Sequence, residues 1–292
     1  METKRRDFLW CLTAALAGTA LGGRLVPAAA QSRYLSAVTL GDFDLYYEVH
    51  GEGPPVVLAH GAGGTHLSWW QQVPALSEHV QCITFDHRGF GYSRDVENGP
   101  GRAAFVDDLR GLLDHLGIER ATLVGQSMGG WTSLGFASRY PERVDALVLC
   151  DTPGGYSDPE VAALMAERPD EIGAFAASFA EREPALTFLY REIQRSTLDR
   201  TPEGAPRSIG GLLEATTDIG PVVEHGIPTL FIVGEEDSIF PPAALRAMHR
   251  KMPGSEFALV GGAGHSVYFE TPDVFNHLLL DFLRRHVLET NG

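Results

Sequence analysis

Along residues 35–50 apolar and polar side chains alternate in two runs, 35–40 and 43–50, separated by the turn-forming pair Gly41-Asp42. A period of two places every second side chain on the same face, so this segment is expected to form two antiparallel strands joined by a tight turn. From Pro55 onward the pattern changes. Short continuous apolar runs, such as Pro55-Val56-Val57-Leu58-Ala59, Ala121-Thr122-Leu123-Val124 and Ala146-Leu147-Val148-Leu149-Cys150, alternate with amphipathic stretches such as 103–116. In that stretch Phe105, Leu109, Leu112 and Leu113 recur at helical spacing. Runs too short for helices yet apolar on both faces read as fully buried strands, and their alternation with helices predicts an α/β fold, a mostly parallel, doubly wound sheet. Functional residues are then expected at the C-terminal edge of the strands.

The rhythm breaks between residues 154 and 225. Asp158-Pro159 reads as a helix start, Arg168-Pro169 and Thr201-Pro202 as interruptions, and 204–211 as loop. A helical cap is expected here, inserted into a core made of residues 31–153 and 226–292. Phe175, Phe179, Leu186, Phe188 and Leu189 are expected mainly to pack the cap onto the body, with a subset roofing a pocket.

Residues 1–30 differ again in composition. Lys4-Arg5-Arg6 precedes a weakly apolar stretch and then Ala28-Ala29-Ala30, an order that resembles a twin-arginine signal peptide cleaved before Gln31. The apolar run is short of the roughly twenty residues that span a bilayer, so cleavage is expected rather than stable membrane insertion, and the mature protein is expected to be periplasmic or secreted. Export would oxidise thiols, yet Cys82 opens one expected strand and Cys150 closes another. In a parallel sheet that leaves them at opposite edges, too far apart for a disulfide. The net charge of −15, with Lys4 and Lys251 the only lysines, argues against nucleic acid or an anionic membrane as a partner. A neutral or cationic small molecule is easier to accommodate.

Chemistry is concentrated in four loops that each follow an apolar run. Gly125-Gln126-Ser127-Met128-Gly129 places one serine on a strand-to-helix turn whose flanking glycines leave room for an exposed hydroxyl. Downstream come Gly234-Glu235-Glu236-Asp237 and Gly261-Gly262-Ala263-Gly264-His265, and upstream lies His60-Gly61-Ala62-Gly63-Gly64. With Asp86-His87-Arg88-Gly89-Phe90-Gly91-Tyr92-Ser93, these motifs resemble the serine-nucleophile, cofactor-free branch of the α/β-hydrolase superfamily from about residue 35 to the C-terminus. The resemblance implies an eight-stranded sheet with an inserted cap, and it makes the 86–93 motif architectural.

An alcohol near neutral pH is a poor nucleophile and needs a base, which Ser127 finds in His265; His265 in turn needs a carboxylate to fix its tautomer. Asp237 is the favoured acid and Asp151, where some members of the superfamily carry theirs, the alternative. Met128 and Ala62, with Gly63 as a second possibility, are expected to supply the oxyanion-hole N–H groups. Trp69 and Phe240 are the pocket candidates, while Trp131 and His60 are expected to be structural. No histidine pair has zinc-ligand spacing among the eleven histidines, and neither cofactor nor metal is expected. The expected activity is hydrolysis of a small ester or lactone with water. The alternatives are carbon–carbon bond hydrolysis of ring-cleavage products, a cofactor-free haloperoxidase or perhydrolase side activity, and, remotely, a non-catalytic binder.

Overall fold

The computed structural model describes residues 36–97, 99–198 and 216–289. The signal-like segment 1–30, Cys11, Thr201-Pro202 and the loop 204–211 lie outside the described residues.

Eight strands form one sheet, β1 (Ser36–Leu40), β2 (Phe43–His50), β3 (Pro55–Ala59), β4 (Gln81–Phe85), β5 (Ala121–Gln126), β6 (Val144–Cys150), β7 (Thr229–Gly234) and β8 (Glu256–Val260). Their order is β1-β2-β4-β3-β5-β6-β7-β8. The pairs β1–β2 and β2–β4 are antiparallel and all others parallel, as the alternating N-terminal pattern and the later apolar runs predict. Neighbouring side chains on a strand face opposite ways, and each side has its own apolar layer. Val57, Ala59, Leu123, Leu147 and Phe231 belong to one layer, whereas Val56, Leu58, Val124, Val148 and Ile232 belong to the other. Burial on both faces explains why these strands show no alternation.

The first layer is covered by α2 (Phe105–His115), α3 (Met128–Arg139) and α8 (Pro242–Arg250), the second by α1 (Val73–Leu76) and, mainly, by α10 (Pro272–Leu283). In α2 the apolar face is Phe105, Leu109, Leu112 and Leu113, as its spacing predicts. Helix α3 starts at Met128, because the turn passes directly from Ser127 into helix. Cys82 and Cys150 are both buried and unbridged. Cys82 pairs in register with Val56 near the start of β3, and Cys150 with Gln126 at the end of β5, so they occupy opposite ends of the sheet.

Between β6 and β7 the described residues form α4 (Pro159–Ala166), α5 (Phe179–Arg182), α6 (Pro184–Leu198) and α7 (Gly220–Glu224). The Asp158 side chain caps α4 by accepting the Val161 N–H at 2.9 Å, with Pro159 in the first turn. Phe175 and Phe179 pack on Phe269 of the body, while Phe188 is 65% exposed. Helix α7, within the segment that the sequence places in the insertion, packs on α3, with Val222 in the same apolar layer as Leu134 and Phe136. Among the described residues no helix is long and apolar enough to cross a membrane.

Candidate active site

The C-terminal ends of β5, β7 and β8 bring Ser127, Asp237 and His265 together. Ser127 follows β5 with φ 49° and ψ −118°, a strained backbone that only close packing on both sides can hold. That packing depends on the two flanking glycines. A Cβ on Gly129 would lie 2.0 Å from the Ala59 carbonyl oxygen at the end of β3, and one on Gly125 would lie 2.6 Å from the Gly129 carbonyl oxygen.

The Ser127 hydroxyl lies 2.8 Å from His265 Nε2, and His265 Nδ1 lies 3.0 Å from Asp237 Oδ2 and 3.2 Å from Oδ1. A carboxylate can only accept, so Nδ1 carries the proton of the neutral ring and Nε2 presents its lone pair to the hydroxyl. Asp237 is itself oriented by the N–H groups of Ile239 and Phe240, at 2.8 and 3.0 Å. The His265 carbonyl accepts from Gln126 Nε2 at 2.9 Å, tying the histidine loop to β5. Burial acts to lower the His265 pKa, but the charge and hydrogen bond of Asp237, with the charge of Asp151, outweigh it and raise the pKa above the ordinary value.

Asp151, the alternative acid, makes no hydrogen bond to His265. Its carboxylate accepts the N–H groups of Gly234 at 2.8 Å and Val267 at 3.1 Å, and the Cys150 thiol at 3.2 Å. It stitches the loops that carry Asp237 and His265 to the end of β6. Burial, and then the charge of Asp237, push its pKa up to about 7.

Met128 is the first residue of α3, where an amide has no intrahelical acceptor, and it lines the same cavity as Ser127 and Ala62. The loop carrying Ala62 is shaped by His60, which is fully buried and donates from Nδ1 to the Gly61 carbonyl while Nε2 accepts the His87 N–H at 3.0 Å. Burial lowers its pKa to about 4, so the ring stays neutral and structural. The 86–93 motif is scaffold as well. Asp86 accepts from the His66 N–H and the Tyr92 N–H, and Arg88 forms a fork with Asp108 at 2.7 and 2.9 Å.

A cavity of about 130 Å³ opens over Ser127, lined by Ala62, Met128, Trp131, Tyr190, Gln194 and Phe240, among others. A wider outer cavity of about 570 Å³ shares Trp131 and Phe240 with it, and their rings lie 5.8 Å apart. Phe240 lines both cavities, whereas Trp69 lines neither. Trp69 is completely buried between Tyr268 and Phe275, because the loop after β3 folds it under the sheet's second layer. Trp131 lines the pocket in its place, since its side chain leaves the exposed side of α3 toward Phe240. Tyr190 and Gln194, one helical turn apart on α6, were invisible to sequence reasoning, since nothing local says which face of a cap helix looks down. Gln126 was visible, lying within the serine motif itself. Among the described residues no cluster of histidine, cysteine or carboxylate side chains could hold a metal.

This arrangement can move a proton from a serine hydroxyl to a histidine held by a carboxylate, in a largely apolar cavity. A family model described as the α/β-hydrolase fold matches residues 54–196. An esterase of Thermogutta terrifontis superposes with a TM-score of 0.73 at 30% identity, over 87% of this chain and 99% of that one. The enol-lactonase of Burkholderia xenovorans LB400 superposes with a TM-score of 0.71 at 26% identity, over 85% and 100%. A protein of Caulobacter sp. strain K31, provisionally named carbamate hydrolase RutD, is 30% identical over 82% of this chain and 95% of its own. The chain belongs to the α/β-hydrolase family and is a hydrolase of that fold.

Proposed function

We propose that this hydrolase cleaves a carboxylic ester or lactone of a small, largely apolar substrate through an acyl-enzyme on Ser127. The observation that carries the proposal is the continuous hydrogen-bond chain from Ser127 Oγ through His265 to Asp237, at 2.8 and 3.0 Å. Attack by Oγ on the carbonyl carbon transfers the hydroxyl proton to His265 Nε2, and Asp237 stabilises the imidazolium. The oxyanion forms beside the N–H groups of Met128 and Ala62. Collapse expels the alcohol, which takes the proton from His265, and a water activated by the same histidine releases the acid. In a lactone the leaving alcohol remains attached to the acyl group.

The cavity over Ser127 sets the scale. Its ≈ 130 Å³ takes a group of a few carbons against Met128, Ile239 and Phe240, roofed by Ala174, Tyr190 and Gln194 of the insertion. The described residues lining it include no arginine or lysine to pair with a second carboxylate. That favours an uncharged ester over the dienoic acids of carbon–carbon bond hydrolysis, although the superposable structures include a meta-cleavage product hydrolase of Pseudomonas fluorescens. The provisional name of the Caulobacter relative makes carbamates worth including in a test.

A chain-length series of p-nitrophenyl esters, several lactones and an alkyl carbamate, assayed with the wild type and Ser127→Ala, decides the matter. The expected result is turnover of short esters or lactones that falls about 10⁶-fold in the variant. Turnover of none of them, with Ser127 still reacting with a fluorophosphonate, would overturn the ester reading in favour of carbon–carbon cleavage.

A further inference from the structure

Glu270 ends the short helix α9 (Val267–Glu270), five residues after His265, and its side chain turns inward. Oε1 accepts the N–H groups of Gly264 at 2.9 Å and Ser266 at 3.2 Å, the residues on either side of His265. Oε2 accepts the N–H of Ala176, in the insertion, at 2.8 Å. A second contact occurs at the same place. A Cβ on Gly264 would lie 2.3 Å from Ala176 N and from Phe175 C, so the insertion presses directly on the histidine loop. Two residues earlier, Ala174 lines the cavity over Ser127.

We propose that Glu270 is a positioning residue that holds both peptide groups flanking His265 and locks the roof of the cavity onto them. Base geometry and docking of the insertion are thereby coupled through one carboxylate. This inference rests on the reading of Ser127 and His265 as nucleophile and base.

An anionic carboxylate offers an acceptor to all three N–H groups. Burial raises the Glu270 pKa, and the three N–H donors, from Ala176, Ser266 and Gly264, pull against that rise. Glutamine has the same shape but only one accepting oxygen, so its NH₂ must face at least one of the three N–H groups, donor against donor. A misplacement of His265 by about 1 Å costs roughly 10²-fold in rate. Three carboxylates face His265, namely Asp237 after β7, Asp151 after β6 and Glu270 on its own segment, and all three act to raise its pKa. The Tyr190 hydroxyl of α6 approaches the adjoining Ser266 at 3.5 Å.

The test compares wild type, Glu270→Gln and Glu270→Asp, with Leu279→Ala, a buried α10 side chain, as a control for lost stability. Two readouts are taken: the rate at which a fluorophosphonate labels Ser127, and the titration of His265 by ¹⁵N NMR. Labelling is expected to slow about 10- to 100-fold in Glu270→Gln, with a lower His265 pKa. Glu270→Asp, which keeps the charge but is too short to span both sides, should slow labelling with less change in pKa. Leu279→Ala should lower Tm yet leave both readouts as in wild type. Wild-type values in Glu270→Gln, or the same losses in Leu279→Ala, would overturn the proposal. If wild-type Ser127 is not labelled while the His265 titration still shifts in Glu270→Gln, the clamp stands and the nucleophile reading falls.

Discussion

Asp237 and Asp151 close neighbouring strands, are both buried, and differ chiefly in their hydrogen-bond partners. Only Asp237 reaches the Nδ1 of His265, so Asp237→Asn, which lets the wrong tautomer form, should lower kcat by about 10⁴. Asp151→Asn should keep activity within about tenfold and instead cost about 1–3 kcal/mol in unfolding experiments, because asparagine leaves one of the Gly234 and Val267 N–H groups unpaired. A larger activity loss in Asp151→Asn than in Asp237→Asn would reverse the assignment. The pH dependence follows from the same contacts. In the proposed mechanism His265 accepts the proton only as neutral imidazole, and its pKa is raised above the ordinary 6.5, so kcat/KM should fall on acidification with an inflection above that value. In Asp237→Asn, with the raising charge gone, the inflection should move to lower pH, which a profile from pH 5 to 9 would show. Ser127, Asp237 and His265 stood out in the sequence because each lies in a loop that follows an apolar strand and each proposed role admits few residue types. Trp69 and Trp131 did not separate, since two tryptophans beside catalytic motifs look alike until packing buries one and leaves the other facing the cavity.

Strands and body helices were legible for a related reason. Burial on one face, or on two, leaves a periodic trace in the chain, and α2 shows it in Phe105, Leu109, Leu112 and Leu113. In the insertion the trace shows which face of a helix is covered but not what covers it. Helix α6 turns Tyr190 and Gln194 toward Ser127 while leaving Phe188 in solvent, and α7 packs on α3. These outcomes depend on partners distant in sequence. At this scale Phe240 matters most, as the wall shared by the small cavity over Ser127 and the wider one outside it. Phe240→Ala should join the two, so that the kcat/KM ratio of octanoyl to acetyl esters rises at least tenfold, each added buried methylene contributing about 0.8 kcal/mol. Using a ratio cancels any loss from removing a ring 5.4 Å from His265. An unchanged ratio would show that the outer cavity takes no part in binding the acyl chain.

For the whole molecule, the parallel strands β4-β3-β5-β6-β7-β8 place the candidate chemistry, since their C-terminal ends lie along one edge, where the loops carrying Ser127, Asp237 and His265 meet. Asp151 binds two of those loops, Glu270 binds the histidine loop to the insertion, and the Arg88–Asp108–Asp95 cluster anchors the loop after β4. The edge is thus cross-linked by largely buried carboxylates; Asp151 stood out in the sequence because it follows an apolar strand, whereas Asp95, Asp108 and Glu270 did not, since their partners are distant in the chain. The central claim is that Ser127 carries the acyl group during turnover. Rapid quenching of the wild-type protein with a short p-nitrophenyl ester, followed by mass spectrometry of the peptide containing Gly125-Gln126-Ser127-Met128-Gly129, tests it directly. The account predicts an acyl adduct on Ser127 that accumulates with the burst of p-nitrophenol and is absent in Ser127→Ala. Steady ester turnover with no adduct on that peptide, undiminished in Ser127→Ala, would contradict it.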